Sequence, residues 1–149
     1  MTPFTLVGLV GPAVALHVSE TLHDTLGPRF TVSENMKSIV AAGVRTFYIK
    51  NDAGKIVPNP EAFALMKQGS SPSTADQVRV RALTAIAEEA RMMLDEEVVA
   101  TPQEIDLCMM MGAGWPLHTG GILPYLDESG ISEAATGRRF HPKGVASLP

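Results

Sequence analysis

Histidine, cysteine and acidic side chains are the groups in this sequence that could do chemistry. The four histidines stand at positions 17, 23, 118 and 141. None are spaced i and i+4, which would place two metal ligands on one helix face. His17 and His23, six residues apart, fall about 120° from a shared face. Neither a metal site nor a catalytic dyad is predicted, and each histidine is interpreted as a surface or structural residue.

The acidic run and the single thiol predict no reactive group either. In Asp95-Glu96-Glu97 consecutive side chains splay around a helix instead of converging, so a solvated helix end is expected. Cys108 excludes an intrachain disulfide and cannot bind zinc alone. Because it lies in the apolar run 105–111, a buried, inert thiol is expected rather than a nucleophile, which needs electropositive surroundings.

Glycine pairs occur, but not where a phosphate-binding loop needs them. Gly112-Ala113-Gly114 follows a predicted helix, whereas a dinucleotide-binding turn follows a strand and opens a helix. Gly120-Gly121 has no preceding strand either. His118 lies in the same turn and is interpreted as a surface or hydrogen-bonded structural residue. The residues by themselves therefore predict no catalytic, cofactor or metal site.

Composition bounds the class of protein. The 149 residues are 45% hydrophobic and 19% charged, with a net charge of -4, which describes a soluble globular chain of one domain or two small ones. Nucleic acid is not an expected partner, because the only basic cluster, Arg138, Arg139 and Lys143, has no interleaved aromatics and predicts a solvated tail. With one cysteine, a cytoplasmic setting is expected.

The apolar run 4–18 is expected to be core. It lacks the positive n-region of a signal peptide and is too short and too interrupted for a membrane span. Prolines and glycines then divide the first half into helices at 3–10, 12–26 and 33–40. Residues 46–57 predict a β-hairpin around a turn that tolerates left-handed geometry.

A linker-like stretch at 69–73 marks a predicted module boundary. Thr74 and Gln77 then form a capping box that opens a long helix. Thr101 and Glu104 predict a second capping box, opening a helix through residue 111. The predicted fold is mainly α with one small β-hairpin.

Three short motifs resemble a known family. Gly114-Trp115-Pro116, Gly120-Gly121-Ile122 and Tyr125-Leu126-Asp127 resemble the GxGFP…GG…Y.D signature of the C-terminal domain of 3-hydroxyacyl-CoA dehydrogenases, with tryptophan in place of the usual phenylalanine. Residues 79–90 and 96–106 are similar to the long helix of that domain and its continuation. The resemblance covers most of residues 75–149 in order.

The first half resembles another copy of the same domain. Residues 3–11 are similar to the family's GPFELxDxVG stretch and correspond, with a one-residue offset, to 121–130. Residues 47–55 resemble its GFYxYxxGK segment, with Arg45 and Thr46 in place of glycines. The resemblance implies a helical fold of two pseudo-repeated modules. Residues 1–69 would be an incomplete first copy with the hairpin at about 46–57, and 70–149 the second copy.

The resemblance also implies packing partners for the two copies. The opening long helix of the first copy, the partner of Phe4, Leu6, Leu9 and Val10, is expected to precede Met1. Trp115, Leu117 and the apolar residues of 122–126 are expected to fill the contact between the copies. The implied structural residues are Pro3, Phe4, Gly114, Trp115, Pro116, Gly121, Tyr125 and Asp127.

The implied function is that of the C-terminal region of a multifunctional enzyme of fatty-acid β-oxidation, which oxidises 3-hydroxyacyl-CoA to 3-oxoacyl-CoA with NAD. NAD and the catalytic residues belong to an upstream domain, so no catalytic, cofactor-binding or metal residue carries over and the chain alone is expected to be inactive. The implied partners are NAD-binding and hydratase domains, acyl-CoA and a second copy. A freestanding helical scaffold or binding module without catalysis is the alternative.

Overall fold

The computed structural model describes residues 2–145. It confirms a mainly helical fold with one small antiparallel hairpin. The chain forms two compact units, Met1–Ser70 and Ser71–Pro149, called unit 1 and unit 2 below. Within the described range no single helix is long and apolar enough to cross a membrane, and one pair of helices that meets the length and composition test together is bent by 98°.

Unit 1 contains four α-helices, a 3₁₀ helix at Gly27–Arg29 and the hairpin among its described residues. Their bounds are α1 Pro3–Val10, α2 Pro12–Leu26, α3 Glu34–Ala41, β1 Tyr48–Lys50, β2 Ile56–Pro58 and α4 Pro60–Leu65. Gly11, at φ 100°, ends α1 and precedes the proline that opens α2. The Ser33 hydroxyl accepts the Met36 amide at the start of α3. The predicted helix boundaries are confirmed to within a residue.

The hairpin lies slightly later than predicted. Tyr48 pairs with Pro58 and Lys50 with Ile56, and the Asn51 carboxamide oxygen accepts two amides of the turn. The Thr46 hydroxyl donates to the Tyr48 carbonyl oxygen at 3.0 Å, a local bond that bends the chain before the strand. The strand therefore begins at Tyr48 instead of residue 46.

The apolar run at the start of unit 1 contributes only Leu16, and Val7 in part, to the core of that unit. The cluster of buried side chains in this core is Ile39, Val44, Phe47 and Ala62. The run 4–18 was predicted to be core, but α1 has no buried residue and only Pro12 and Leu16 are buried in α2. No described element of unit 1 covers the outer faces of these helices. The exposed side chains are Phe4, Leu6, Leu9, Val10, Val14 and Val18.

Unit 2 is built on one long helix. Its elements are α5 Ala75–Asp95, α6 Pro102–Gly112, α7 Ile122–Glu128 and α8 Ile131–Thr136. The capping box of Thr74 and Gln77 is confirmed. The second predicted box is wrong: the Thr101 side chain makes no cap bond, and the Glu104 carboxylate accepts the Ala100 amide at 2.9 Å in place of the Thr101 amide.

The long helix α5 packs mainly against α8 and also touches α7. Its stripe of Leu83, Ala87 and Ala90 is buried, whereas Val80 is 44% exposed. The rest of the buried core is Ile105, Ile122, Leu123, Leu126, Ile131 and Phe140. Residues 122–126, expected between the copies, thus contribute to the core of unit 2 itself.

The prediction of a buried thiol is wrong, because Cys108 is exposed. The helix α6 turns Ile105 and Asp106 inward and leaves Leu107 57% exposed. Cys108 follows Leu107 on the outer side. The apolar run was read as buried because its composition, unlike its helical phase, gives no inward direction.

Candidate functional site

A cluster of buried polar side chains lies in the core of unit 2. It consists of Asp106 on α6, Asp127 on α7, Ser132 on α8 and His141, and each is at most 4% exposed. We call these four residues the polar cluster. Buried polar groups are costly unless they are hydrogen-bonded, so their partners decide what the cluster does.

Asp127 ties the segment after α8 to the core. Its Oδ1 accepts the Ser132 hydroxyl at 2.6 Å and the Phe140 amide at 2.9 Å. Its Oδ2 accepts the His141 amide at 2.9 Å. Three donors on one buried carboxylate give charge-assisted bonds, which are stronger than neutral ones. Asp127 therefore fixes the path of residues 140–141 over α7.

Asp106 makes the second connection. Its Oδ2 lies 2.8 Å from Nε2 of His141, and its Oδ1 accepts the Leu123 amide at 2.8 Å. The latter bond satisfies one of the free amides at the start of α7. Nδ1 of His141 is buried without a hydrogen-bond partner among the described residues. Asp106 thus connects α6 both to the start of α7 and to the segment after α8.

Gly121 makes this arrangement possible. Its backbone is at φ 130°, in a region that L side chains rarely adopt. A Cβ placed on it would lie 2.5 Å from Cγ of Asp106. The glycine therefore permits the Asp106 carboxylate to reach the start of α7.

Two arginine side chains, Arg91 and Arg139, also hold the segment that follows α8. Arg91 on α5 lies 4.3 Å from the centroid of the Phe140 ring, and its Nη2 donates to the Arg139 carbonyl oxygen. Burial lowers the pKa of Arg91, and the charge of Arg138 lowers it further. The hydrogen bond to Glu128 raises the pKa of Arg139. Both side chains stay charged at neutral pH.

The prediction of a solvated basic tail at 138–143 is corrected for Arg139, whereas Arg138 and Lys143 are exposed as predicted. The Arg139 side chain is only 16% exposed and pairs with Glu128, and Arg138 pairs with Asp95 at 2.7 Å. Long-range partners of this kind leave no local signal in a sequence. Asp95 lies 43 positions before Arg138.

The aromatic residues predicted in the glycine-rich turn pack together. Trp115 and Tyr125 meet edge to face with centroids 5.6 Å apart, and Trp115 Nε1 donates to the Thr119 hydroxyl at 2.7 Å. Trp115 is partly buried against the core of unit 2, while Leu117 is 73% exposed. Gly114, at φ 71°, turns the chain after α6, and Pro116 is exposed.

The predicted residues of unit 1 are at its surface. Pro3 is exposed at the first position of α1. Phe4 is 42% exposed, although its ring lies 4.8 Å from that of Phe47 and 6.3 Å from that of Phe63. The structure thus places Gly121 and Asp127 at the polar cluster of unit 2. It places Phe4 at the edge of the core of unit 1.

Sequence reasoning missed His141, Asp106 and Ser132. His141 was grouped with surface histidines, and its partner Asp106 is 35 positions away. No local pattern marks Asp106 as buried, because its partners Leu123 and His141 lie 17 and 35 positions away. The other three histidines, His17, His23 and His118, are exposed.

Chemically, the polar cluster is suited to holding the fold. A general base must come within hydrogen-bond reach of a substrate, whereas His141 is 4% exposed and already bonded to Asp106. Among residues 2–145 no group of three or more histidine, cysteine or acidic side chains is placed to hold a metal ion. Burial therefore closes the polar cluster to a substrate.

Comparison with known proteins identifies similar sequences. No protein-family model matches the chain. The chain is 26% identical over 160 aligned positions to the fatty acid oxidation complex subunit alpha of Acinetobacter baylyi, covering 89% of this chain and 21% of that protein. The proteins of the same name from Shewanella amazonensis and Idiomarina loihiensis are 26% and 28% identical, over 96% and 94% of this chain and 23% and 22% of their own lengths.

The chain therefore spans about a fifth of the length of the curated relatives it matches. Its similarity to these multifunctional fatty-acid oxidation proteins runs along most of its own length and through both units. It is consistent with the chain corresponding to one region of such a protein.

Truncation of Trp115 tests the packing in the glycine-rich turn. We expect Trp115→Ala to lower the free energy of unfolding by about 2 to 4 kcal/mol, because it removes the contact with Tyr125 and leaves a cavity against the core. Leu117→Ala, at a neighbouring exposed position, should change it by less than about 0.5 kcal/mol. Urea denaturation followed by circular dichroism measures both, and equal effects would contradict the packing.

Proposed function

We propose that this chain is the C-terminal helical region of an NAD-dependent 3-hydroxyacyl-CoA dehydrogenase of fatty-acid β-oxidation. In this role it forms one wall of the acyl-CoA cleft and packs against the domain that binds NAD. The observation that carries the proposal is the similarity of nearly the whole chain to a fifth of fatty acid oxidation complex subunits alpha.

The internal arrangement of the units supports the proposed duplication. In unit 1, α1 and α2 meet at Gly11, and in unit 2, α7 and α8 meet at Gly130. Both glycines have positive φ. Each helix pair is followed directly by another glycine of positive φ and, three residues later, by a phenylalanine. These are Gly27 with Phe30, which is partly buried, and Gly137 with Phe140, which is buried.

The chain's own residues do not fit an NAD site. Gly112 is the last residue of α6 and Gly114 leads into an irregular turn, whereas the dinucleotide-binding glycines follow a strand and open a helix. The two described strands belong to the hairpin of unit 1. We therefore assign NAD and the catalytic groups to another region of the proposed parent enzyme, and this chain alone should be inactive.

Restoration of activity in trans tests the proposal. The Acinetobacter baylyi relative is made without the region that this chain matches, and NAD-dependent oxidation of a 3-hydroxyacyl-CoA is measured for the chain, the deleted relative and their mixture. Of these three samples, we expect only the mixture to reduce NAD, because the chain completes the acyl-CoA cleft.

The intact relative and the mixture with a destabilised chain serve as controls. Activity of the chain alone would contradict the assignment of catalysis to another region. A mixture that binds but stays inactive would favour the scaffold alternative. If the chain and the deleted relative do not bind each other, the proposed packing is wrong.

A further inference from the structure

The helix α6 of unit 2 is apolar on two sides. One side, which includes Ile105, is buried in the core. Another side carries four exposed residues at i, i+3, i+4 and i+7, a spacing that places side chains on one face of a helix. We call them the α6 outer face, and they are Glu104, Leu107, Cys108 and Met111. A helix that borders a core normally has polar side chains toward solvent, so this face is suited to a further contact.

The side chains of the α6 outer face can adapt to a partner. Leu107 is 57% and Met111 is 77% exposed, and Cys108 lies between them in the sequence. Methionine is unbranched and polarisable, so it adjusts to irregular apolar surfaces and is frequent where proteins bind the helices of their partners. Apolar groups repeated along one helix face match the i, i+3, i+4 and i+7 anchors of an amphipathic helix.

The charges around this face are negative. Between positions 92 and 137 the sequence has eight aspartates and glutamates and neither lysine nor arginine. Six of the eight are exposed, and two of these six pair with the arginines that follow α8. Glu104 belongs to the α6 outer face itself. At the other end of the face, next to Met111, the last carbonyl groups of α6 carry a partial negative charge.

This charge pattern selects among the possible occupants. A docking segment gains most where lysines or arginines flank its apolar side chains, because complementary charges then meet across the contact. A second copy of the α6 outer face would bring carboxylates toward carboxylates. An anionic membrane surface would be repelled in the same way.

We propose that the α6 outer face binds a cationic amphipathic helix of a partner protein. In the complex, the apolar side chains of the partner helix cover Leu107 and Met111, and its basic side chains reach Glu104 and the carbonyl end of α6. Cys108 lies within the contact and loses its exposure to solvent. The inference does not depend on the proposed enzymatic role, since it follows from α6 and the charges around it.

A synthetic helical peptide tests the docking on the full chain. The probe is a peptide of about 18 leucines and lysines with leucine at i, i+3, i+4 and i+7, and its control has glutamate at every lysine position. Fluorescence anisotropy of the labelled peptides measures binding. We expect a dissociation constant on the order of 10 µM for the lysine peptide and at least about tenfold weaker binding of the glutamate peptide.

Two variants of the chain locate the binding surface. Leu107→Lys should weaken binding of the lysine peptide at least about tenfold, because it removes an apolar contact and brings like charges together. Ile56→Lys is the matched control: Ile56 in unit 1 is 67% exposed and its replacement adds the same charge, so the constant should change less than about threefold. Both positions are exposed, so both variants should keep the circular dichroism spectrum of the parent.

Cys108 reports the place of the peptide directly. It is the only cysteine in the chain and it is exposed, so its rate of alkylation by iodoacetamide measures its accessibility. We expect a saturating concentration of the lysine peptide to slow this reaction at least about fivefold. An unchanged rate would mean that the peptide binds elsewhere and would overturn the proposal.

Four further results would also overturn it. They are no binding at about 100 µM lysine peptide, equal affinities of the two peptides, equal effects of Leu107→Lys and Ile56→Lys, and slower alkylation without any peptide. In the last case, slowing at high concentration of the chain would assign the face to a second copy. Slowing by phosphatidylglycerol vesicles would assign it to a membrane.

Discussion

Gly121→Ala is expected to lower the free energy of unfolding of unit 2 by about 3 to 5 kcal/mol. The new Cβ would lie 2.5 Å from Cγ and Oδ1 of Asp106 and 2.8 Å from its Cβ. Relief of this clash requires Asp106 to move, which breaks its bonds to His141 and to the Leu123 amide. The backbone at φ 130° adds strain of its own.

Gly137→Ala is the control for a positive φ without a clash. Gly137 has a positive φ of 76°, but nothing lies within 4 Å of the Cβ position, so only about 1 to 2 kcal/mol is expected. The chain has one tryptophan, Trp115 in unit 2, and its fluorescence in urea follows that unit. Equal midpoints for the two variants would mean that the Asp106 contact does not constrain residue 121.

Asp127→Asn is expected to cost about 2 to 4 kcal/mol in the same measurement. Both carboxylate oxygens of Asp127 accept backbone amides, those of Phe140 and His141. An amide side chain keeps the shape but places its NH₂ group against one of these donors. That donor is then buried without an acceptor, since Asp127 is 2% exposed.

The adjacent Glu128→Gln is the control for a change of charge alone. Its side chain is 56% exposed and pairs with Arg139, so its loss should cost less than about 1 kcal/mol. Hydrogen exchange should accelerate at the Phe140 and His141 amides in Asp127→Asn and remain slow in Glu128→Gln. Unchanged protection in both variants would show that Asp127 does not hold this segment.

Local signals in the sequence predicted the elements well. The helices of unit 1 begin where a cap or a proline stands, and the capping box of Thr74 and Gln77 sets the start of α5. The hairpin begins two residues later than predicted because the Thr46 hydroxyl bonds to Tyr48. Such signals depend on neighbours within a few positions, which a sequence displays directly.

The candidate site depended on distant partners and was predicted only in part. Gly121 and Asp127 were named from the family resemblance, whereas His141 was taken as a surface residue because its partner Asp106 lies 35 positions away. Burial was overestimated in two apolar stretches. Cys108 is exposed, and no residue of α1 is buried, because apolar composition does not say which neighbour covers a side chain.

We propose that this chain supplies the helical region of a 3-hydroxyacyl-CoA dehydrogenase. The most direct test is a chimera in which the chain replaces the region that it matches in the Acinetobacter baylyi relative. Its rate of NAD reduction with a 3-hydroxyacyl-CoA is compared with the rates of the intact relative, the deletion and the chimera carrying Gly121→Ala. We predict activity in the chimera, none in the deletion and a loss with Gly121→Ala. A folded chimera without activity would contradict the claim.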